Sequence, residues 1–234
     1  MAVLFLHKFP DNDQYESIKL IIKKVFMELE DKIAELEKTL AMLRRALEGV
    51  IQTLTIASDT RDPYTAGHQR RVANLAISIA QEMGLPENVV EGIRIAGLIH
   101  DIGQLAVPAE ILSKPSKINE LEFQLIKTHP EVGYDILKNI DFPWPVAEIV
   151  LQHHERMNGS GYPRKLKRPD IIIEARIINV ADVVEAMASH RPYRPSIGIE
   201  KSLEQISKNR GILCDEEVVD ACLRLFEEKG YKFK

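Results

Sequence analysis

Residues 87–101 read ENVVEGIRIAGLIHD, and this stretch predicts a buried helix that ends in a polar doublet. Apolar residues recur at three- and four-residue spacing from Val89 to Ala96, so one face of the helix is apolar. His100 continues that face, and Asp101 follows it. Burial of an imidazole without a polar partner is costly. The doublet therefore indicates a polar site at the inner end of this helix.

The rest of the chain shows further helical stripes and no clear alternation of period two. One helix begins at the N-cap Asp62 and stops before Gly84. A capping box of Asn119 and Glu122 opens another, which should end near His129 because that residue precedes a proline. The predicted helices cover about residues 62–83, 87–100, 119–129, 145–154 and 171–189, with two short helices within 200–228. These patterns predict an all-α fold.

A heptad pattern precedes these helices. Its apolar residues alternate in steps of four and three, which is the 3.5-residue period of a left-handed coiled coil. They are Ile22, Phe26, Leu29, Ile33, Leu36, Leu40, Leu43, Leu47, Val50, Leu54 and Ala57. Lys32 and Glu37 occupy positions that pair across a parallel seam. We predict a parallel homodimer, because an isolated helix cannot bury this stripe; the alternative is a long helix packed on its own domain.

The sequence predicts two parts, an N-terminal segment with the coiled-coil helix (1–57) and a larger helical domain (58–234). The apolar residues of segment 1–9 fit two interpretations, the last strand of a truncated upstream sensor domain or a staple onto the helix. In either case the heptads lead directly into the larger domain. A helix of this kind can transmit a signal from such a sensor.

Composition excludes several classes of protein. The net charge of −4 does not favour broad binding to DNA. No run approaches the roughly 18 apolar residues of a membrane span, and no signal peptide is apparent. Cys214 and Cys222 suit small core positions in a reducing compartment, so a cytoplasmic protein is expected.

Seven residues form the candidate metal centre: His68, His100, Asp101, His129, His153, His154 and Asp182. One histidine on an apolar face is usually a satisfied core residue, but five of them with two doublets favour a shared metal site. Imidazole and carboxylate ligands without thiolate suit iron, manganese or zinc. Seven ligands exceed the need of one ion, so we expect two ions bridged by Asp101. Paired divalent ions are suited to phosphoryl chemistry.

Several ordered motifs resemble the HD-GYP family, a branch of the HD-domain metal phosphohydrolases. They are Asp62-Pro63-Tyr64-Thr65-Ala66-Gly67-His68, His100-Asp101-Ile102-Gly103, His153-His154-Glu155, Gly161-Tyr162-Pro163, Ala181-Asp182 and Arg191-Pro192-Tyr193-Arg194. The resemblance covers about residues 58–228. It implies an HD-type helical bundle that hydrolyses cyclic di-GMP to the linear dinucleotide pGpG or to GMP at a centre of two or three metals, commonly iron or manganese.

By the same resemblance, the seven candidate ligands match the family's metal ligands. Tyr64 stands where some members have a glutamate for a third metal, so two ions are favoured. Arg191 and Arg194 match positions that hold substrate phosphates, and a guanidinium suits that role physically. Gly161 allows the backbone to approach the site closely, and Tyr162 can stack on the substrate or donate a hydrogen bond to it.

The chain departs from the family pattern at two positions. Gln104 stands in place of the lysine of the HDxGK motif, and Asn158 stands in place of an aspartate. We expect Asp101 and Gln104 to act at the reacting phosphate, although Gln104 supplies no charge. Three functions are therefore open: a cyclic di-GMP phosphodiesterase, a module that binds cyclic di-GMP or a protein partner without turnover, and an enzyme for another cyclic dinucleotide or a mononucleotide.

Overall fold

The computed structural model describes residues 12–60, 67–189 and 196–233. Within these residues the chain is helical, and its β-structure is limited to two isolated bridges, so the all-α prediction is confirmed. The helices are α1 (Asn12–Asp59), α2 (His68–Glu82), α3 (Glu87–Ile99), α4 (Ala109–Leu112), α5 (Glu120–Ile126), α6 (His129–Leu137), α7 (Val146–Gln152), α8 (Ile173–Ala188), α9 (Ile199–Lys208) and α10 (Glu216–Glu227), with a 3-10 helix at Ile102–Ala106.

Some predictions fall outside the described residues. They concern the apolar segment 1–9, the N-cap Asp62 with Pro63, the Tyr64 position, and the pair Arg191 and Arg194. In the part of the chain that the structure describes, no helix combines the length and apolar character needed to cross a membrane.

The chain divides into two compact units, residues 1–50 and 51–234. The division falls within α1, about two turns before the boundary expected between residues 57 and 58. The last turns of α1 belong to the second unit because Ile51 is buried and the Thr55 hydroxyl donates a hydrogen bond to the carbonyl oxygen of Leu98 at 2.9 Å.

The core of the second unit forms where α2 packs against α3 and α8. The predicted apolar stripe of α2 is confirmed, since Leu75 and Ile79 are fully buried, as are Ile93 of α3 and Ile177 of α8. Complete burial of such a side chain stabilises a protein by about 1.5–3 kcal/mol. This packing directs the start of α2, the ends of α3 and α7, the start of α6 and the middle of α8 toward one place.

The helix expected from Asn119 to His129 ends earlier, and a second helix begins where its end was predicted. The predicted capping box is present, with Asn119 Oδ1 accepting from the Glu122 amide at 2.9 Å. However, α5 ends at Ile126, and His129 is the first residue of α6 rather than the last of α5. Pro130 explains the difference, because a proline lacks an N–H that the first turn of a helix does not need.

The 3-10 helix and α6 cross with their backbones in contact. A Cβ at Gly103 would overlap the carbonyl oxygen of His129 and lie 2.6 Å from the amide nitrogen of Gly133. Only glycine at position 103 permits this approach. The crossing holds Asp101, just before the 3-10 helix, close to His129.

Candidate metal centre

Five helices bring the seven predicted ligands into one pocket. His68 opens α2, His100 caps the C-terminus of α3 and precedes Asp101, His129 opens α6, His153 caps the C-terminus of α7 and precedes His154, and Asp182 lies inside α8. Six of the seven are buried, and His154 is partly buried. The ligands thus converge although they are spread over about half of the chain.

The ligand atoms form two groups that share one residue. The His68 group contains His68, His100 and Asp101, and the His154 group contains Asp101, His129, His153 and His154. Within each group the candidate ligand atoms lie within 4.8 Å of one another. Such spacing allows each group to hold one ion, with Asp101 common to both.

The two carboxylate oxygens of Asp101 face different groups. Oδ2 lies 3.5 Å from Nε2 of His100 and 3.9 Å from Nε2 of His68. Oδ1 lies 3.3 Å from Nε2 of His129. A carboxylate in this orientation can bind one ion through each oxygen, which is the arrangement of a bridging ligand.

Asp182 has a similar orientation, although it falls outside both close groups. Its Oδ1 lies 3.2 Å from Nε2 of His68, and its Oδ2 lies 3.9 Å from Nδ1 of His154. Asp182 therefore also contributes one oxygen toward each side of the pocket.

Backbone carbonyls fix the tautomers of three histidines. Nδ1 of His100, His129 and His153 each donates to the carbonyl oxygen three residues earlier, at 2.8, 2.8 and 2.6 Å. Since a carbonyl can only accept, the proton of each neutral ring is on Nδ1 and the lone pair of Nε2 faces the pocket. This is the arrangement that metal-binding histidines use.

Two observations show that the pocket fits cations. Nε2 of His129 and Nε2 of His153 lie 3.2 Å apart, and with both protons on Nδ1 their lone pairs repel unless a cation is near. Nε2 of His100 is buried and has no hydrogen-bond partner among the described residues. Buried polar atoms are normally satisfied, and metal ions would satisfy these three together.

The protonation states in the pocket also suit cations. Burial lowers the pKa of His154 to about 3, with His129 contributing in the same direction, and burial likewise holds the pKa of His153 well below its usual value. Burial alone would raise the pKa of Asp101, but the surrounding histidines, His100 first, lower it below its usual value. At neutral pH His153 and His154 thus offer neutral rings and Asp101 offers an ionised carboxylate, which are the forms that bind metals.

Glu185 is a functional residue that sequence reasoning missed. It is fully buried one turn after Asp182. Its carboxylate accepts hydrogen bonds from Nδ1 of His68 and, at 2.6 Å, from Nε of Arg71. Burial alone would lower the pKa of His68, but hydrogen bonds with Asp182 and Glu185 raise it to about 9. Glu185 therefore orients His68 and, together with Asp182, raises the pKa of its ring. The sequence offered one indication of this role: Glu185 lies three residues after Asp182, on the same side of the predicted helix.

Three predicted contacts lie beside the ligands. Gln104 is half-buried in the 3-10 helix, and its backbone N–H donates to the carbonyl oxygen of Asp101 at 2.9 Å. The ring of Tyr162 lies 4.8 Å from that of His154. A Cβ at Gly161 would lie 2.5 Å from the Cα of Glu155, so glycine is needed for the loop to approach.

Asn158 lies in this loop and is exposed. Its Oδ1 accepts from the amide of Ser160 at 3.0 Å and from the Ser160 hydroxyl at 2.7 Å. An aspartate can accept the same two hydrogen bonds. The exchange at this position therefore changes the charge of an exposed turn.

Comparison with known proteins agrees with this geometry. Residues 53–218 match the family model of the HD domain. The chain is 40% identical over 206 residues to a cyclic di-GMP phosphodiesterase of Thermotoga maritima, covering 86% of this chain and 56% of that protein. It is 37% identical to the cyclic di-GMP phosphodiesterase response regulator RpfG of Xanthomonas campestris, over 90% of this chain and 54% of the relative.

The fold of the chain is also similar to that of a phosphodiesterase of known structure. The cyclic GMP-AMP specific phosphodiesterase V-cGAP3 of Vibrio cholerae matches with a TM-score of 0.52 and 29% identity, over 80% of this chain and 42% of that one. The chain spans about half the length of the curated relatives named above. The motifs, the converging ligands and the matched family model lead to one conclusion: the chain belongs to the HD-domain family, in its HD-GYP branch.

Proposed function

We propose that this chain is a metal-dependent phosphodiesterase that hydrolyses cyclic di-GMP to pGpG, to GMP, or to both. The observation that carries the proposal is the orientation of Asp101, whose two oxygens face the two groups of ligand atoms. The Thermotoga and Xanthomonas relatives, both named as cyclic di-GMP phosphodiesterases, support the same substrate. The cofactors would be two divalent ions, iron or manganese, with zinc as the alternative.

The seven ligands, together with Glu185 behind His68, would hold these ions in place. When bound, paired divalent ions activate water and stabilise negative charge on a phosphoryl group. The protein's own contribution is to orient His100, His129 and His153 through the carbonyls that accept from their Nδ1 atoms. In this proposal Arg191 and Arg194 hold substrate phosphate, and Tyr162 contacts the substrate next to His154.

Gln104 determines how fast such an enzyme works. From its half-buried place next to Asp101, the side-chain amide of Gln104 would donate a hydrogen bond to a substrate phosphate. Unlike a lysine, it provides no positive charge. Loss of one preorganised electrostatic contact costs about two to three orders of magnitude in rate. We expect slow turnover by the natural sequence and faster turnover by Gln104→Lys.

The decisive experiment follows linear product from cyclic di-GMP with protein loaded with iron or manganese without oxygen. Metal content is measured on the same samples. Product from the natural sequence supports the proposal. If only Gln104→Lys forms product, the natural chain belongs to the second class of function, a module without turnover.

That second function is favoured by one observation, the neutral Gln104 beside Asp101. The chain would then bind cyclic di-GMP or a protein partner, and the metal centre would stabilise the fold. Calorimetry that finds tight nucleotide binding without hydrolysis supports this alternative. If neither binding nor hydrolysis occurs, a pure interaction domain remains.

A different substrate is the third alternative, and the Vibrio cholerae structure, named for cyclic GMP-AMP, favours it. Competition between cyclic di-GMP, cyclic GMP-AMP and a cyclic mononucleotide for hydrolysis identifies the preferred substrate. A preference for cyclic di-GMP of less than about threefold would contradict the leading proposal in its choice of substrate, since contacts that read a base are worth more than that.

We also propose that α1 forms a parallel homodimer in the cytoplasm and passes a signal to the catalytic unit. The seam residues from Ile22 to Val50 are 41–69% exposed in the single chain, so a second helix can cover them. Both cysteines are free and buried, which suits a reducing compartment.

The seam can be tested without breaking the helix. Leu40→Asp lies on the seam and should give a monomer in sedimentation equilibrium, because a buried carboxylate without a partner is costly. Met42→Asp places the same charge on an exposed position off the seam and should remain dimeric. Equal behaviour of the two variants would exclude this seam as the interface.

A further inference from the structure

A cavity of about 640 Å³ opens beside the metal centre. Its walls come from α5, the start of α6 and the loop that carries Tyr162. The lining residues include Phe123, Lys127, Glu131, Gly161, Tyr162 and Lys165. Because the Tyr162 ring also lies 4.8 Å from the His154 ring, the cavity adjoins the metal ligands. Its volume falls in the range of small-molecule sites.

Lys127 has a defined position in this wall. It caps α5, where its amide donates to the carbonyl oxygen of Phe123 at 2.9 Å, and it precedes the ligand His129 by two residues. Its Nζ lies 4.4 Å from the centre of the Phe123 ring and 5.8 Å from the centre of the Tyr162 ring. Aromatic faces attract an ammonium group, so the two rings hold this charge at the edge of the cavity.

The charge of Lys127 is available to a ligand. Among the described residues, no carboxylate lies within ion-pair distance of its Nζ. Lys138, at the end of α6, shows the contrast, because it also lies near a tyrosine ring but pairs with Asp135 at 2.6 Å. The cavity lining carries two lysines and one glutamate, which gives it a net positive charge. An anion is therefore the ligand that the cavity suits.

We propose that Lys127 binds the second phosphate of a cyclic dinucleotide, the one that does not react at the metal ions. This inference rests on the proposed function. A cyclic dinucleotide has two phosphates in one ring, and only one of them can be at the ions during hydrolysis. The other then needs a cation at a distance from the centre. Lys127 Nζ lies 5.8 Å from the centre of the Tyr162 ring, which in turn lies 4.8 Å from the ring of His154. Phe123 and Tyr162 would flank the attached nucleoside.

This placement makes Lys127 a specificity residue. A cyclic dinucleotide would use Lys127, whereas a small phosphodiester that occupies only the metal centre would not. The interaction exists before and during the reaction, so it should lower KM and leave kcat nearly the same.

The experiment compares Lys127→Met, Lys127→Arg and the control Lys138→Met on cyclic di-GMP and on bis(p-nitrophenyl) phosphate. Lys127→Met keeps the apolar contact with Phe123 and removes the charge. We expect kcat/KM for cyclic di-GMP to fall roughly 10- to 100-fold more than for the small diester, mostly through KM, as for loss of a charged hydrogen bond. Lys127→Arg should recover most of the loss, and Lys138→Met should match the natural protein.

The outcomes separate this inference from the proposed function. If Lys127→Met lowers kcat/KM equally for both substrates, or for neither, the proposed second-phosphate site is wrong while the phosphodiesterase proposal stands. If the natural protein binds cyclic di-GMP but does not hydrolyse it, calorimetry replaces kinetics, and an unchanged Kd in Lys127→Met overturns the inference. A natural protein that neither binds nor hydrolyses cyclic di-GMP overturns both. Circular dichroism and metal content show that each variant is folded and loaded.

Discussion

The His68 group and the His154 group share Asp101, yet they prepare their histidines in opposite ways. His68 lies between the carboxylates of Asp182 and Glu185, which raise its pKa to about 9 against the opposing effect of burial. His154 lies among other imidazoles, and burial lowers its pKa to about 3. Without an ion, one group thus holds a cationic ring at neutral pH and the other holds neutral rings.

The contrast teaches that hydrogen bonds to two carboxylates can together outweigh the effect of burial on the pKa of a histidine. Both rings are removed from water, and only the ring that is hydrogen-bonded to two carboxylates keeps its proton. The two groups should therefore differ in how they take up an ion. The His154 group is ready to bind, and the His68 group must first release a proton.

Asp101→Asn should have the largest effect, because it alters both groups at once. One oxygen becomes an amide that cannot bind a cation, and the bridge is lost. We expect metal content to fall at both positions and phosphodiesterase activity to drop by about three orders of magnitude or more. Elemental analysis and product formation measure the two effects. Asp135→Asn, at an exposed ion pair, is the control. If Asp101→Asn keeps one ion at full occupancy, Asp101 is not a ligand that the two groups share.

Glu185→Gln should affect only the His68 group. The amide keeps the shape but withdraws the negative charge that orients His68, and loss of such a supporting partner weakens metal affinity by about 10- to 100-fold. Titration with manganese should then show one weakened and one unaltered site. Glu204→Gln changes an exposed glutamate paired with Lys208 and should alter neither. Equal weakening of both sites would mean that Glu185 supports the whole pocket instead.

Metal binding should depend on pH in one group only. Since the pKa of His68 is about 9, its proton competes with the ion below that pH, and affinity should rise up to about tenfold per unit between about pH 6 and 9. The His154 group should vary little around neutral pH, because burial lowers the pKa of its three rings. Calorimetry in buffers of different ionisation enthalpy counts the protons released. If both groups release the same number of protons when they bind an ion, the predicted difference between the two groups is wrong.

Asn158→Asp should have the smallest effect, because the residue belongs to neither group. The carboxylate would accept the same two hydrogen bonds from Ser160 in an exposed turn. We expect turnover within about twofold of the natural protein, as for a surface substitution. An increase of tenfold or more would show that the loop carries a charge important to the reaction.

The seven candidate ligands were identified from the sequence because each histidine interrupts or extends an apolar stripe, and because the motifs resemble a known family. The convergence of these ligands depends on how five helices pack, which no local pattern states. The orientation of Asp101, with one oxygen toward each group, is likewise a property of the packed structure.

Other features could not be read from local patterns. Glu185 resembles the other charged residues of its helix, and only its burial beside His68 reveals its role. The residues 102–112 form a 3-10 helix and a single turn of α-helix, which are too short for a periodic signal. Pro130 was interpreted as the end of a helix, whereas it stands in the first turn of α6, a position that prolines also favour.

The contact between Gly103 and the backbone of α6 has a consequence for the choice of ion. On the side of Asp101 and His129, two main chains touch, so neither can shift without the other. An ion of different radius must be accommodated there by rotation of side chains alone. His68, in contrast, is held by Glu185 through side-chain hydrogen bonds, which adjust more easily. We therefore expect discrimination between ions of different size to arise mainly on the rigid side of the pocket.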